Sequence, residues 1–570
     1  MNNLEMMQIQ EMAYPGSSVA ERHFASSLVS GLKAASATRA DKWVLRYRIM
    51  GNPFPGPKTF KYHPWQREML LCPAREVTGQ KAAQMGYSDL MLDKAMHTND
   101  IRKQDVLYVL PSKTPDAMDF SAGRFNPALE MSPYLRNLYK DSNSVSFKST
   151  GTNVLYVVGS RSRGALTSRP VALIILDETD QMSEEAIALG RARSDGQVAG
   201  TFQFWKVSTP TVPNHGINKE WFRSSQAEFF FPCPSCSRNI NLNHDNLVIC
   251  GEHENDPDIT RSHMICRECK AVLPQQGKTT YIPKGTFVHA YPERAEYHSG
   301  FYVNQCYSAV RGPVDLARDF LRGLTSVAEE QEYFNSKMGM PHIVNGAEIK
   351  LSDVDLCIEG YRENDPKFMT PIITIGIDVG KYLHVTVKHW RRYADSNTND
   401  INESCMCFHV ASLKYDEFEE LDEAMYFYKP AKVVIDHQPE TRKAAAFARR
   451  FPGLVYLCHY GNDVSRREIV IHEDPQGASM VTVDRTSWLD LSLGRVKKRR
   501  LTLPTNTPLE YRQHKSSLVR LLKLDKLNNP VASYVNTGPD HFAHADNYAE
   551  IALTLSAQHG SSLNITTRTH

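Results

Sequence analysis

The sequence predicts an α/β protein of more than one domain. A parallel-sheet domain with a phosphate loop and a zinc-ribbon insertion comes first, and a second α/β domain follows. Three observations predict it. Val171–Thr179 (VALIILDET) runs an apolar stretch straight into two adjacent carboxylates, Asp177 and Glu178, and such a run reads as a strand buried on both faces. Upstream, Arg75–Ser88 reads as a strand, a loop of small residues and a helix start. Downstream, two more buried strands carry Asp378 and Asp436 at their ends. At 570 residues the chain exceeds what one hydrophobic core can hold.

Composition narrows the class. The net charge is only +2, so no global basic field marks a nucleic-acid binder. No apolar run is long enough to span a bilayer, and the N-terminus lacks a charged-then-apolar signal pattern, so a soluble cytoplasmic protein without a membrane is expected. The eleven cysteines are an odd number, and four form two CxxC pairs, which fits reduced thiols around a metal better than a disulfide framework.

Residues 1–59 read as an N-terminal arm or partner-docking segment, with the basic-aromatic Lys42–Met50 on the surface. The first globular domain is expected over 60–340. A helix opens near His63–Glu68, where Gln66 carries an amide able to read an adenine edge. Then comes EVTGQKAAQMGYS. Its small residues and following helix make an anion cradle, with Gly86 and Tyr87 at the turn and Ser88 as a Mg²⁺-facing hydroxyl. The common phosphate-loop pattern puts lysine where Tyr87 stands; here Lys81, at the front of the loop, must reach the phosphates instead.

Two further strands follow, Asp105–Pro111 and Asn153–Gly159. The second ends in Ser160–Gly164, where Arg163 is placed to stabilise transition-state charge. At the end of the Val171–Thr179 strand, Asp177 can hold Mg²⁺ and Glu178 can polarise a water. Phe202–Thr209 ends in Ser208 and Thr209, small hydroxyls able to sense hydrolysis beside a γ-phosphate. Cys233, Cys236, Cys266 and Cys269 present two knuckles for one tetrahedral structural zinc, in an insertion over about 230–275. A linker is expected at 341–370.

The second domain is expected over 371–557, with a flexible tail at 558–570. Asp378 on a first strand, Asp436 on a later one and Asp546 on the first turn of a C-terminal helix make the ordered carboxylate trio of a ribonuclease-H-like nuclease. Such a trio holds two divalent ions (Mg²⁺ or Mn²⁺) about 3.5–4 Å apart. Asp546 is preferred to Asp540 as the third ligand, with Asp484 an outside candidate. Lys497–Arg500, Arg512, Lys515, Arg520 and Lys523 offer positive charge to a phosphate backbone.

Gln66, EVTGQKAAQMGYS, LIILDE and VSTPT, in that order, resemble the large terminase subunits of tailed phages. The similarity is greatest to the lambda-like GpA group, whose phosphate loop also carries its lysine early and ends in Gly-Tyr-Ser. The resemblance implies an ATP-driven motor for double-stranded DNA that also cuts concatemers. Lys81 would contact phosphate, Asp177 would hold Mg²⁺, Glu178 would be the catalytic base, and Ser208 and Thr209 would couple hydrolysis to motion. It implies a small terminase subunit and a portal or procapsid as partners, a homo-oligomeric ring during packaging, and work in the host cytoplasm with transient docking on the procapsid. Two other classes fit less of the sequence. One is a recombinase or transposase with an accessory ATP site; the other is a zinc-ribbon DNA-binding scaffold with a degenerate nucleotide fold.

Overall fold

The computed structural model describes residues 38–557 and 565–567, apart from 141, 163, 165, 167–170, 193–200, 345, 370–371, 394–397, 399, 462–463, 475–476 and 525–529. The chain divides into two compact units, meeting in sequence between His342 and Ile343. The N-terminal arm before Thr38, most of the tail and Arg163 lie outside the described residues.

In the first unit, helices α1 (Ala40–Tyr47) and α2 (Trp65–Leu71) precede strand β1 (Glu76–Lys81), and α3 (Tyr87–Asp100) follows it. Strands β2 (Val106–Leu110), β3 (Val154–Gly159), β4 (Leu173–Asp177) and β5 (Gln203–Ser208) come next, then helix α4 (Gly216–Arg223) and strands β6 (Ala227–Pro232) and β7 (His298–Val303). These strands lie side by side in the order β6-β7-β1-β5-β4-β2-β3, all parallel. Every residue of β1, β2, β4 and β5 is buried, which explains the apolar runs of β2 and β4. The apolar runs fixed strand type well; the insertion of β5 between β1 and β4 is a tertiary outcome.

The segment expected to be an arm is partly core. Trp43 and Val44 on α1 are fully buried, and Trp43 donates its indole N–H to Asp100 at 2.7 Å. Arg48 and Lys58 both pair with the buried Asp93 of α3, at 2.5 and 3.0 Å. Lys42–Met50 is therefore not a plain surface stretch, because its apolar face had no other element to bury it.

The second unit is built on β8 (Ile373–Val379), β9 (Leu383–Arg392), β10 (Cys405–Tyr415), β11 (Lys432–Asp436), β12 (Val455–Tyr460) and β13 (Ser479–Val483), with α5 (Arg485–Lys497), α6 (Leu509–Ser516) and α7 (His541–Ser556). The sheet runs β10-β9-β8-β11-β12-β13. β8, β9 and β10 pair antiparallel, and β8, β11, β12 and β13 pair parallel. Helix α7 lies directly on β8. A Cβ on Gly376 would meet the Ala545 carbonyl oxygen at 1.9 Å, so only glycine permits this approach. Residues 343–369, expected to be a linker, pack within the second unit: Glu348 bridges Val519, Ile358 bridges Leu503, and the Tyr361 hydroxyl donates to the Thr502 carbonyl at 2.9 Å.

Candidate active sites and metal centre

The carboxyl ends of β1, β4 and β5 meet at one level, where ligands of parallel sheets bind. Lys81 closes β1, and its Nζ lies 3.0 Å from Glu178 Oε1 and 3.2 Å from Thr209 Oγ1. The early lysine therefore shares one pocket with the acidic strand end. Glu178 follows β4 directly with φ 61°, in the left-handed region, a strained placement for a residue with a Cβ and one that turns its carboxylate towards the lysine. Ser208 Oγ stands 3.4 Å from Glu178 Oε2.

The pocket, about 560 Å³, is lined by Lys81, Ala83–Asp89, Glu178 and Thr209, and also by Phe54, His63, Arg124 and Arg311. Amides at the start of α3 have no acceptor within the helix and make its wall an anion site. Ser88 stands on this wall. Gly86, at φ +76°, could not carry a Cβ without meeting Gln66 Nε2 at 2.5 Å. That contact redefines Gln66: its amide donates to the Gly86 carbonyl at 2.6 Å and braces the loop rather than facing a base, while its Oε1 is buried without a partner among the described residues. Tyr87 contributes its backbone, because its ring is buried against Gly79 in the sheet.

Asp177 is buried beneath Glu178. Burial, and then the neighbouring Glu178, push its carboxyl up to about 6 against the opposing pull of Lys81 and of the Tyr108 hydroxyl. Tyr108 donates to Oδ2 at 2.7 Å, while Oδ1 has no hydrogen-bond partner among the described residues. A buried acceptor left open at a strand end fits a magnesium-bound water. Asp180 was not singled out in the sequence. It accepts from the Thr211 amide at 2.9 Å and the Ile217 amide at 2.6 Å, tying the end of β5 to the start of α4.

The four cysteines converge: Cys233, Cys236, Cys266 and Cys269 each offer a sulfur within 4.8 Å of the others. The knuckles repeat one geometry. Cys233 N–H donates to the Arg238 carbonyl and Ser237 N–H to the Cys233 carbonyl; Cys266 N–H donates to the Ala271 carbonyl and Lys270 N–H to the Cys266 carbonyl. Ser237 and Lys270, each just after the second cysteine, both take positive φ. Two matched knuckles and four sulfurs fit a closed tetrahedral zinc site. Cys250, His253 and His263 stay outside this group.

In the second unit, Asp378 and Asp436 stand on adjacent parallel strands, one step beyond the paired Ile377 and Ile435. Burial, with Asp378 nearby, pushes the Asp436 carboxyl up to about 6. Asp378 Oδ2 lies 2.8 Å from His541 Nδ1 at the start of α7, and this hydrogen bond raises the histidine's affinity for its proton.

Asp546 does not join them. It stands in the second turn of α7, and its oxygens are taken by Lys388 Nζ at 2.7 Å, Lys515 Nζ at 2.9 Å and the Tyr511 hydroxyl at 2.5 Å. Burial alone would raise its carboxyl, but the two ammonium groups hold it well below the usual range. In this arrangement Asp546 faces Lys388 and Lys515 and is not grouped with Asp378. Asp540, immediately before α7 and 3.4 Å from His544 Nε2, flanks His541. Asp484 caps α5 through the Ser487 amide at 2.8 Å. The basic residues expected to face phosphate are largely paired within the unit: Arg500 with Glu403, Arg512 with Asp355, Lys515 with Asp546 and Arg520 with Asp490.

Residues 52–287 match the family model of the phage terminase large subunit gpA, ATPase domain. That stretch is similar to the ATPase domain of this terminase family. The chain is also similar to solved structures. The HK97 bacteriophage large terminase is 12% identical, with 91% of this chain and 99% of that one covered and a TM-score of 0.45. The large terminase of a thermophilic bacteriophage, in complex with ATP-gamma-S, is 12% identical, covering 83% and 93% at a TM-score of 0.27. The large terminase nuclease of thermophilic phage G20c is 16% identical, covering 35% and 95% at 0.21. No curated protein matches the chain. Among the described residues no helix is long and apolar enough to cross a membrane.

Proposed function

We propose that this terminase subunit hydrolyses ATP to drive double-stranded DNA into a procapsid, and cuts that DNA at a separate metal-dependent site. The observation that carries the motor reading is Lys81 Nζ 3.0 Å from Glu178 Oε1 at the mouth of an anion-binding loop. A triphosphate would bind at the start of α3, where Lys81 would take its phosphates and Asp177 and Ser88 would hold the magnesium. Glu178, released from Lys81, orients the attacking water. Ser208 and Thr209 lie under the same groups and register their rearrangement. Arg124, in the lining of the pocket, takes the charge-stabilising role that the sequence suggested for Arg163.

The nuclease reading rests on Asp378 and Asp436 side by side at strand ends, with Asp540 replacing Asp546 as the third acid. Divalent ions there would clamp the attacking and leaving oxygens of a phosphodiester. The cysteine knuckles hold a structural zinc that folds the insertion. A small terminase subunit, a portal and sister copies in a ring are the partners this role requires.

The test separates the two chemistries. Glu178→Gln should abolish DNA-stimulated ATPase and leave metal-dependent cutting, while Asp378→Ala should do the reverse. Equal ATPase rates in wild type and Glu178→Gln would remove the motor and favour a DNA-binding scaffold.

A further inference from the structure

The chain leaves the second cysteine knuckle through a short hairpin, Met264 pairing with Leu273 and Ile265 with Val272, and places Gln275 and Lys278 directly behind it. Both side chains turn onto one distant loop, 305–311. Gln275 Nε2 donates to the carbonyls of Ser308, Ala309 and Arg311, at 3.1, 3.4 and 3.2 Å. Lys278 Nζ donates to those of Cys306 and Ser308, at 2.7 and 3.2 Å. Among the described residues no backbone amide answers the Ser308, Ala309 or Arg311 carbonyl. The two side chains therefore do for this loop what a helix or a ladder would otherwise do.

Lys278 is a costly way to hold a loop. It is 2% exposed, its partners are neutral carbonyls, and burial draws its ammonium down to about 8. A cation taken out of water without a counter-charge is expensive, and here the carbonyls it gathers are what offset that cost. The loop they form is a wall of the pocket described above, which Ser308, Ala309, Val310 and Arg311 line. Gln305, at the start of the loop, donates to the Ala83 carbonyl at 3.0 Å and so joins this wall to the phosphate loop. Ala309 and Val310 offer apolar surface, for which a phosphate has no use, and the Arg311 guanidinium is held by Asp319 at 2.5 Å. The wall is therefore suited to the nucleoside part of a ligand whose phosphates lie at Lys81.

We propose that Gln275 and Lys278 are positioning residues for the nucleotide pocket, holding the 305–311 wall in the shape that receives the nucleoside. This deepens the motor reading above and rests on it. Neither residue lines the pocket itself, so both act through the loop. Lys81, Glu178 and Thr209 stand on other strand ends, so a loosened wall weakens the bound ground state and the transition state alike. Such a loss raises KM and leaves kcat in place. By the same linkage, a nucleotide that fills the wall must stiffen the loop.

The experiment uses the full-length protein with ATP, ADP and inorganic tripolyphosphate, which carries the phosphates without a nucleoside. Gln275→Leu and Lys278→Met should each raise KM for ATP about tenfold, the scale of leaving buried carbonyls unanswered, with kcat within about twofold. Inhibition by ADP should weaken by the same factor, while inhibition by tripolyphosphate holds. A general structural defect would instead lower kcat and weaken all three ligands together, and that result overturns the proposal. So does an unchanged KM in both variants while the wild type hydrolyses ATP, an outcome that leaves the motor standing. In the wild type, saturating ADP should slow hydrogen exchange over 305–311. Unchanged exchange there overturns the role of the wall and needs no variant to fold. A wild type that neither binds nor hydrolyses ATP removes the motor reading and this inference with it.

Discussion

Lys81 Nζ, at the end of one strand, rests 3.0 Å from Glu178 Oε1 at the end of another. With no triphosphate present, each group neutralises the other. In the proposed motor, nucleotide binding would exchange that pair for a lysine–phosphate contact, and the exchange would free the glutamate for water. On that proposal the pair is a latch that opens when substrate supplies the charge.

Lys81→Ala is therefore expected to lower kcat for ATP hydrolysis by about 10²–10³-fold, the scale for losing one fixed transition-state contact. It should also weaken nucleotide binding. The double variant Lys81→Ala/Glu178→Gln should be little worse than either single one, because the two groups act as a unit. Steady-state ATPase kinetics on the four proteins check this, and full additivity would break the latch.

Asp546 is expected to be a stability residue. Asp546→Asn strands Lys388 and Lys515 as buried cations, which costs about 3–5 kcal/mol. Chemical denaturation should show that loss, while Mn²⁺ affinity of the folded variant stays near wild type. A stable Asp546→Asn protein that no longer binds Mn²⁺ would restore Asp546 as a ligand.

Asp436 predicts a pH window. Its carboxyl, near 6 in the fold against about 3.9 in an unfolded chain, binds its proton more tightly when folded. Its contribution to stability is therefore full below about 3.9 and lost as pH rises through about 6. A divalent ion needs the ionised form, so it compensates on the alkaline side. Thermal melts with and without Mn²⁺ should show little metal stabilisation at pH 5 and a full shift at pH 7. In Asp436→Asn the step near 6 should vanish.

The cysteine knuckles predict about one tightly held zinc per chain by metal analysis. Cys233→Ser, or prolonged chelation, should release it and lower the melting temperature, because binding free energy at such a site is folding free energy. Zinc retained by Cys233→Ser with an unchanged melt would remove the site.

Particular residues show where sequence reasoning reached and where it stopped. The strand around Leu173–Asp177, the CxxC knuckles and the strand ends at Asp378 and Asp436 were legible because local pattern expresses burial on both faces, thiolate pairing and strand termini. Gln66, Arg163 and Asp546 were assigned by spacing along the chain, and spacing says nothing of partners. Gln66 braces Gly86, and Arg163 lies outside the described residues, while Arg124 lines the pocket. Asp546 met two lysines from distant segments.

By itself the sequence determined element types and the CxxC spacing, which depend on neighbours within a few residues. Only the tertiary structure decided which charges meet. Strand order brought Lys81 to Glu178, and the packing of α7 on Gly376 put His541, not Asp546, against Asp378. The physical reason is that a carboxylate's role is set by the charge it faces in space, and that partner is chosen by long-range packing.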